Sequence, residues 1–182
     1  MPNPVRVTMQ QQEQCNWCWA AVAASLSSAM PLPPGMNAPM SQCQVAGGLL
    51  CAADANCCCD DGHVLYGCPD SPCNRPALIE NALTAVGHLG NTSGGIPDQQ
   101  DVIDSINGGL PIAGEIHWND GQQQNHYVLI VGYGTNALGQ FVVSIADPAD
   151  NTGTTALDHS MDELASGGYR HSGTWINTFF TQ

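Results

Sequence analysis

Gln12-Glu13-Gln14-Cys15-Asn16-Trp17-Cys18-Trp19 runs directly into Ala20-Ala21-Val22-Ala23-Ala24-Ser25-Leu26. The second half is alanine-rich, low in polarity and free of Gly and Pro, which predicts a helix from Cys18 to about Ser28. Cys18 then stands in the first turn. There, unpaired backbone N–H groups and the positive end of the helix dipole favour a thiolate over a thiol. A nucleophile needs that environment. The competing reading is a buried or disulfide-bonded structural cysteine, and the rest of the chain has to decide between them.

The totals narrow the field. A chain of 182 residues with 43% hydrophobic content is long enough to bury a real core as one domain. No apolar run approaches the length of a membrane span, and no basic amphipathic segment suggests a membrane surface. Arg6, Arg75 and Arg170 are the full cations, lysine is absent, and the net charge is -13. So few cations cannot neutralise a phosphate backbone, which excludes nucleic acid as a partner. An acidic substrate would be repelled rather than steered. The nine cysteines are an odd number. In an oxidising compartment eight can form four disulfides and leave one thiol; in a reducing one such a cluster would more readily hold metal. Met1-Pro2-Asn3-Pro4 lacks the charged start and apolar stretch of a secretory signal, and reads as a mature secreted domain with an added initiator methionine.

Along the chain, residues 1–11 read as an extended lead-in or edge strand. The first helix ends before Pro31-Leu32-Pro33-Pro34-Gly35. A short helix over Ser41–Ala46 should stop at Gly47-Gly48. Residues 51–75 hold Cys51, Cys57, Cys58, Cys59, Cys68 and Cys73 among Asp, Gly and Pro with little hydrophobic periodicity, so crosslinks or a metal must hold them. The three consecutive cysteines cannot all point one way and should take different partners. A zinc site from this cluster and His63 is the alternative, although the spacing lacks paired Cys-x-x-Cys knuckles. A helix over 76–86 starts with Pro76 and buries Leu78, Ile79, Ala82, Leu83 and Val86; another over 98–107 turns Val102, Ile103 and Ile106 inward. Strands follow at 110–118, 126–133 and 141–146, with a helical turn at 161–166 and a final strand between Tyr169 and Phe180.

A cysteine nucleophile needs an imidazole to exchange its proton, a third group to hold that ring, and donors for the oxyanion. His126 opens the strongest strand, and Asp147 closes the next one before Pro148. If those strands are hairpin neighbours, the two side chains meet, and the carboxylate favours the imidazolium that pairs with a thiolate. Gln12, six residues before Cys18, can offer its amide to an oxyanion alongside the Cys18 backbone N–H. His117, on the preceding strand, is the rival base. For each of these the plainer reading is a satisfied structural or solvated side chain.

Gln12-x5-Cys18-Trp19, Cys15 three residues before Cys18, the alanine-rich helix, and His126-Tyr127-Val128-Leu129-Ile130-Val131-Gly132-Tyr133-Gly134 together resemble the papain superfamily of cysteine peptidases. Asn16-Trp17-Cys18-Trp19-Ala20-Ala21 and Asp147-Pro148 are similar to its bacterial branch, which includes secreted effector peptidases and bacteriocin-leader peptidases. The resemblance covers residues 12–26 and 126–148. It implies a nucleophile at Cys18, a base at His126, an orienting Asp147 and an oxyanion donor at Gln12. It also implies a disulfide from Cys15 to a partner within Cys43–Cys73. With Cys43, Cys51, Cys57, Cys58, Cys59, Cys68 and Cys73 engaged, Cys18 would be the thiol left over. Plant and lysosomal members carry Gly and a small residue where Asn16 and Trp17 stand, and Asn in place of Asp147.

The expectation is therefore a papain-like α+β fold in one catalytic domain over 1–182. Residues 1–109 form a mainly helical, disulfide-rich lobe and 110–182 an antiparallel sheet or half-barrel. The expected protein is a secreted, monomeric bacterial cysteine endopeptidase acting on protein or peptide substrates, with no metal or cofactor. Two rivals are an amidase, deamidase or acyltransferase using the same triad, and a disulfide-rich binding module in which Cys18 is inert.

Overall fold

Every residue of helix α1 (Cys18–Ala29) from Cys18 to Ser27 is buried. A helix enclosed on all sides must bring its neighbours close, and the alanines at 20, 21, 23 and 24 allow that. Its serines serve the same packing. Ser25 Oγ donates to Ala21 O and accepts from Gln10 N at 2.9 Å, and Ser27 Oγ accepts from Met40 N at 3.0 Å. The buried hydroxyls thus tie the segments on either side of α1 to the helix without leaving polar atoms unpaired.

The computed structural model describes residues 5–51, 57–59, 72–121, 125–150 and 156–182, with only the backbone of 156–158. Cys68 and His63 lie outside these. After α1 come α2 (Gln42–Leu50), α3 (Ile79–Ala85), β1 (Leu89–Gly94), α4 (Gln99–Asn107), β2 (Ile112–Trp118), β3 (His126–Thr135), β4 (Phe141–Ala146), β5 (Ala156–Ser160), α5 (Met161–Ala165) and β6 (Gly173–Thr181). The strands form one antiparallel sheet in the order β1-β6-β2-β3-β4-β5. This is an α+β architecture, with helices leading and the sheet built from the C-terminal half.

The two faces of the sheet belong to two cores. Tyr127, Leu129 and Val131 of β3 pack with α1, α2 and α3, whereas Val128 and Ile130 pack with Val102 and Ile106 of α4 and Leu164 of α5. Covering both faces explains why the β3 sequence is continuously apolar instead of alternating. Among the described residues no helix is long and apolar enough to cross a membrane.

Several expectations need correction. No strand forms over residues 5–11; the sheet's edges are β1 and β5, neither of which the hydrophobic pattern announces. Both are short edge strands: β1 is Leu89-Gly90-Asn91-Thr92-Ser93-Gly94, polar and almost wholly exposed. Helix α2 runs through Gly47-Gly48 to Leu50. Gly47 is buried, and a capping box between Ser41 and Gln44 starts the helix, so packing beside α1 outweighs a glycine penalty of about 1 kcal/mol per residue. Helix α3 begins at Ile79, not at Pro76, because residues 73–75 are held by groups around Cys18. Ile79, Ala82, Leu83 and Val86 are buried as the stripe requires, but Leu78 is 61% exposed.

Gly114 in β2 is required by packing. A Cβ there would lie 2.0 Å from the indole of buried Trp175 on the neighbouring β6. Gly114→Ala is expected to lower stability by about 1–3 kcal/mol through overpacking, read as a reduced denaturation midpoint.

Candidate active site

The sequence around Cys18 builds its own surroundings. Trp17 and Trp19 are buried, and their indole N–H groups donate to Cys73 O at 2.7 Å and Arg75 O at 3.1 Å. Asn16 joins them: its backbone N–H reaches Asn74 Oδ1 at 3.1 Å and its Nδ2 reaches Asn74 O at 3.0 Å. Residues 73–75 are thereby pinned beside the start of α1, and the chain leaves them extended as Pro76-Ala77-Leu78. These three residues form one wall of a cleft of about 650 Å³. Cys18 is the first residue of α1 and lines this cleft with His126.

The opposite wall comes from the sheet. β3 and β4 are antiparallel neighbours with Leu129 opposite Ala146, so His126 at the start of one lies beside Asp147, just past the end of the other. His126 Nε2 is 2.7 Å from Asp147 Oδ1. That leaves Nδ1 for the Cys18 side of the cleft. Burial would pull the imidazole below its ordinary value. Hydrogen bonds and negative charge from Asp147 and Cys18 outweigh that and push it up to about 10. Burial would likewise raise the carboxyl of Asp147, but His126, Tyr169 and the Ala149 N–H hold it down to about 2. The Trp118 ring stacks on His126 with centroids 5.9 Å apart, which fixes the imidazole plane and shields the His–Asp contact from water.

Asp147 meets donors on both oxygens. Oδ1 accepts from His126 and, at 2.8 Å, from Ala149 N; Oδ2 accepts from the Tyr169 hydroxyl and, at 2.8 Å, from Arg170. Arg170 also pairs with Asp150. Arg170 and His171 both have positive φ, at 46° and 75°, in the turn that aims Tyr169 and Arg170 back at the carboxylate. Sequence reasoning missed these two residues. The usable signal was the scarcity of cations: a chain with three arginines has few candidates for a buried carboxylate's counter-ion.

Gln12 lines the cleft, and its backbone N–H donates to Pro148 O at 2.9 Å, linking it to the segment after Asp147. Its Nε2 donates to Gln14 O at 3.1 Å and Cys15 O at 2.7 Å, while its buried Oε1 has no hydrogen-bond partner among the described residues. The side chain is therefore at the site with its amide turned onto local carbonyls. Buried Gln42 of α2, also missed, holds this loop: Nε2 donates to Gln11 O at 2.8 Å and Oε1 accepts from Glu13 N at 3.0 Å. His117 is exposed, bonds Asn125 Oδ1 at 3.1 Å and does not line the cleft.

The cysteines divide as follows. Cys57, Cys58 and Cys59 fan out to Cys51, Cys73 and Cys43. Cys15 is disulfide-bonded, and Cys18 is free among the described residues. The sulfurs of Cys51, Cys57, Cys58 and Cys73 lie within 4.8 Å of one another, close enough for a metal, but here they are joined in two disulfides. Thiol titration of the unfolded, non-reduced protein is expected to find one thiol. Five or more would replace the disulfide framework with a zinc cluster.

No family model and no curated protein matches the chain. Among solved structures, the bromelain protease from Ananas comosus, in complex with the E64 inhibitor, is similar with a TM-score of 0.51 and 16% identity over 96% of this chain and 94% of that one. The ragweed pollen allergen Amb a 11, a cysteine protease solved in its proform, gives 0.48 and 16% over 96% and 61%. The likeness to bromelain shows the fold: this chain has a papain-like architecture.

Proposed function

We propose that the protein is a cysteine endopeptidase. The observation that carries this reading is the placement of Cys18 at the start of the buried helix α1, in one cleft with an imidazole that a buried carboxylate holds. Sγ of Cys18 attacks a peptide carbonyl carbon, and the Cys18 backbone N–H faces the developing oxyanion. Gln12 serves as the second donor once its amide turns from the carbonyls of Gln14 and Cys15. The imidazolium of His126 gives its proton to the leaving amine as the C–N bond breaks, leaving a thioester on Cys18. Water then attacks the thioester with His126 taking its proton, and the carboxylic acid departs as the thiolate re-forms. Asp147 keeps the ring in the orientation and tautomer that both steps use.

A single catalytic domain and an oxidising, extracellular setting fit the disulfides. The Asn16–Ala21 and Asp147-Pro148 stretches support placement in the bacterial branch of papain-like peptidases. The test is incubation of the purified chain with casein and a peptide library while free amine and ammonia are followed separately. New amino termini that depend on Cys18 are the expected result. Ammonia without backbone cleavage would assign the site to side-chain amides, and no reaction of Cys18 with iodoacetamide or E64 would leave a binding module.

A further inference from the structure

The cleft does not end at His126. Leu78, Glu115 and Tyr127 line both it and a second cavity of about 330 Å³, so the two spaces adjoin at these side chains. The second cavity lies between the start of α3 and the sheet, and Glu80 and Phe179 also face it. It has the volume for one long side chain.

Glu115 is 7% exposed on β2, with Tyr127 of β3 and Asn177 of β6 as its cross-strand neighbours. Its Oε1 accepts from Asn125 Nδ2 at 2.5 Å and Tyr127 OH at 3.2 Å, and its Oε2 accepts from Asn177 Nδ2 at 2.7 Å. Three donors and no acceptor suit an ionised carboxylate, which has about four lone-pair sites and so keeps capacity for one more donor. The Tyr127 hydroxyl is held in its protonated, donating form by burial and then by the charge of Glu115. All three partners are neutral. Among the described residues, no ion pair reaches Glu115. Buried carboxylates are ordinarily paired with a cation, and this one lacks its own while lining an open cavity beside the nucleophile.

We propose that Glu115 is a specificity-determining residue that selects a substrate bearing a lysine or arginine side chain near the bond to be cleaved. This deepens the peptidase reading and rests on it. The exposed Leu78 and the Phe179 ring give apolar walls to the methylene stem, and Glu115 meets the cationic head. The net charge of -13 draws basic peptides to the cleft. The same selectivity leaves the chain few sites for its own cleavage, since it has no lysine and Arg170 is held by Asp147 and Asp150.

The test separates this proposal from the peptidase reading. A single arginine is walked through each position of acetylated, amidated hexapeptides, each with a citrulline twin, and affinities are measured by calorimetry on the Cys18→Ala protein, which needs no turnover. One position is expected to favour arginine over citrulline by about tenfold or more. That ratio should fall to within about twofold when Glu115→Gln is added. It should fall equally with Leu78→Arg, which places a cation at the exposed rim of the same cavity and does not disturb the core. Equal binding of all twins, or a ratio that survives both substitutions, overturns the assignment. Failure of the wild-type protein to cleave any peptide overturns the peptidase reading and leaves the binding result to stand by itself.

Discussion

Cys18→Ala is expected to reduce kcat/KM on any peptide substrate by at least about 10⁴-fold while the protein stays folded. The size follows from the chemistry. Without Sγ no thioester forms, and the remaining backbone N–H and cleft contacts stabilise an oxyanion that no group in the site creates. The fold should tolerate the change, because Cys18 is 6% exposed at the head of a helix already rich in alanine and forms no disulfide. His126→Ala should cost activity on a similar scale, since the thiolate loses its proton partner. It also strands Asp147 among buried neighbours, so its denaturation midpoint must be measured alongside. His117→Ala is the control. That ring is exposed and off the cleft wall, and its removal should change kcat/KM by no more than about twofold, the range of an ordinary surface substitution. If His117→Ala proved the more damaging of the two, the base would have to be reassigned.

The legible parts of this molecule are those that local pattern controls. Helix α1 could be read from alanine content, and β3 and β4 from unbroken apolar runs closed by turn residues. His126 and Asp147 stand at the facing ends of adjacent strands, so a hairpin alone brings them together, and Cys18 needs only the first turn of its helix. What stayed hidden depends on distant segments. Nothing local makes Leu89–Gly94 a strand; it is one because β6 offers its edge, returning about eighty residues later. Helix α3 loses its expected first residues because Trp17, Trp19 and Asn16 hold residues 73–75 in a non-helical turn, an interaction across more than fifty positions. The supports of the site follow the same rule. Tyr169 and Arg170 reach Asp147 through a turn with left-handed backbone at two non-glycine residues, a geometry that their sequence does not signal. Glu115 was read only as part of a strand, because its significance lies in which cavities it borders.

Asp147→Asn should be far from conservative here. Every group around the carboxylate donates: the His126 ring N–H, the Ala149 backbone N–H, the Tyr169 hydroxyl and the Arg170 guanidinium. An asparagine has one acceptor oxygen, so its NH₂ must face donors on one side. Turned toward Tyr169 and Arg170, it meets a hydroxyl that can rotate to accept and a guanidinium that cannot. The expected loss of stability is about 1–3 kcal/mol, the cost of an unsatisfied buried polar group. Arg170→Gln supplies an acceptor and should recover part of that loss when combined with Asp147→Asn. A double-mutant cycle showing simple additivity would remove Arg170 from the argument. The pH dependence follows with its sign. His126, raised from 6.5 to about 10 in the fold, contributes stability in full below about 6.5, and that contribution is lost as pH rises toward 10. Asp147, lowered from 3.8 to about 2, contributes above about 3.8 and loses its share as pH falls toward 2. The native protein should therefore be most stable between these limits, and Asp147→Asn should flatten both flanks. Activity reads the same coupling, because an imidazolium must be present to protonate the leaving amine. The alkaline limb of kcat/KM should move down by about 1–3 pH units in Asp147→Asn. An unchanged limb would mean that the carboxylate holds the ring in place without tuning its charge.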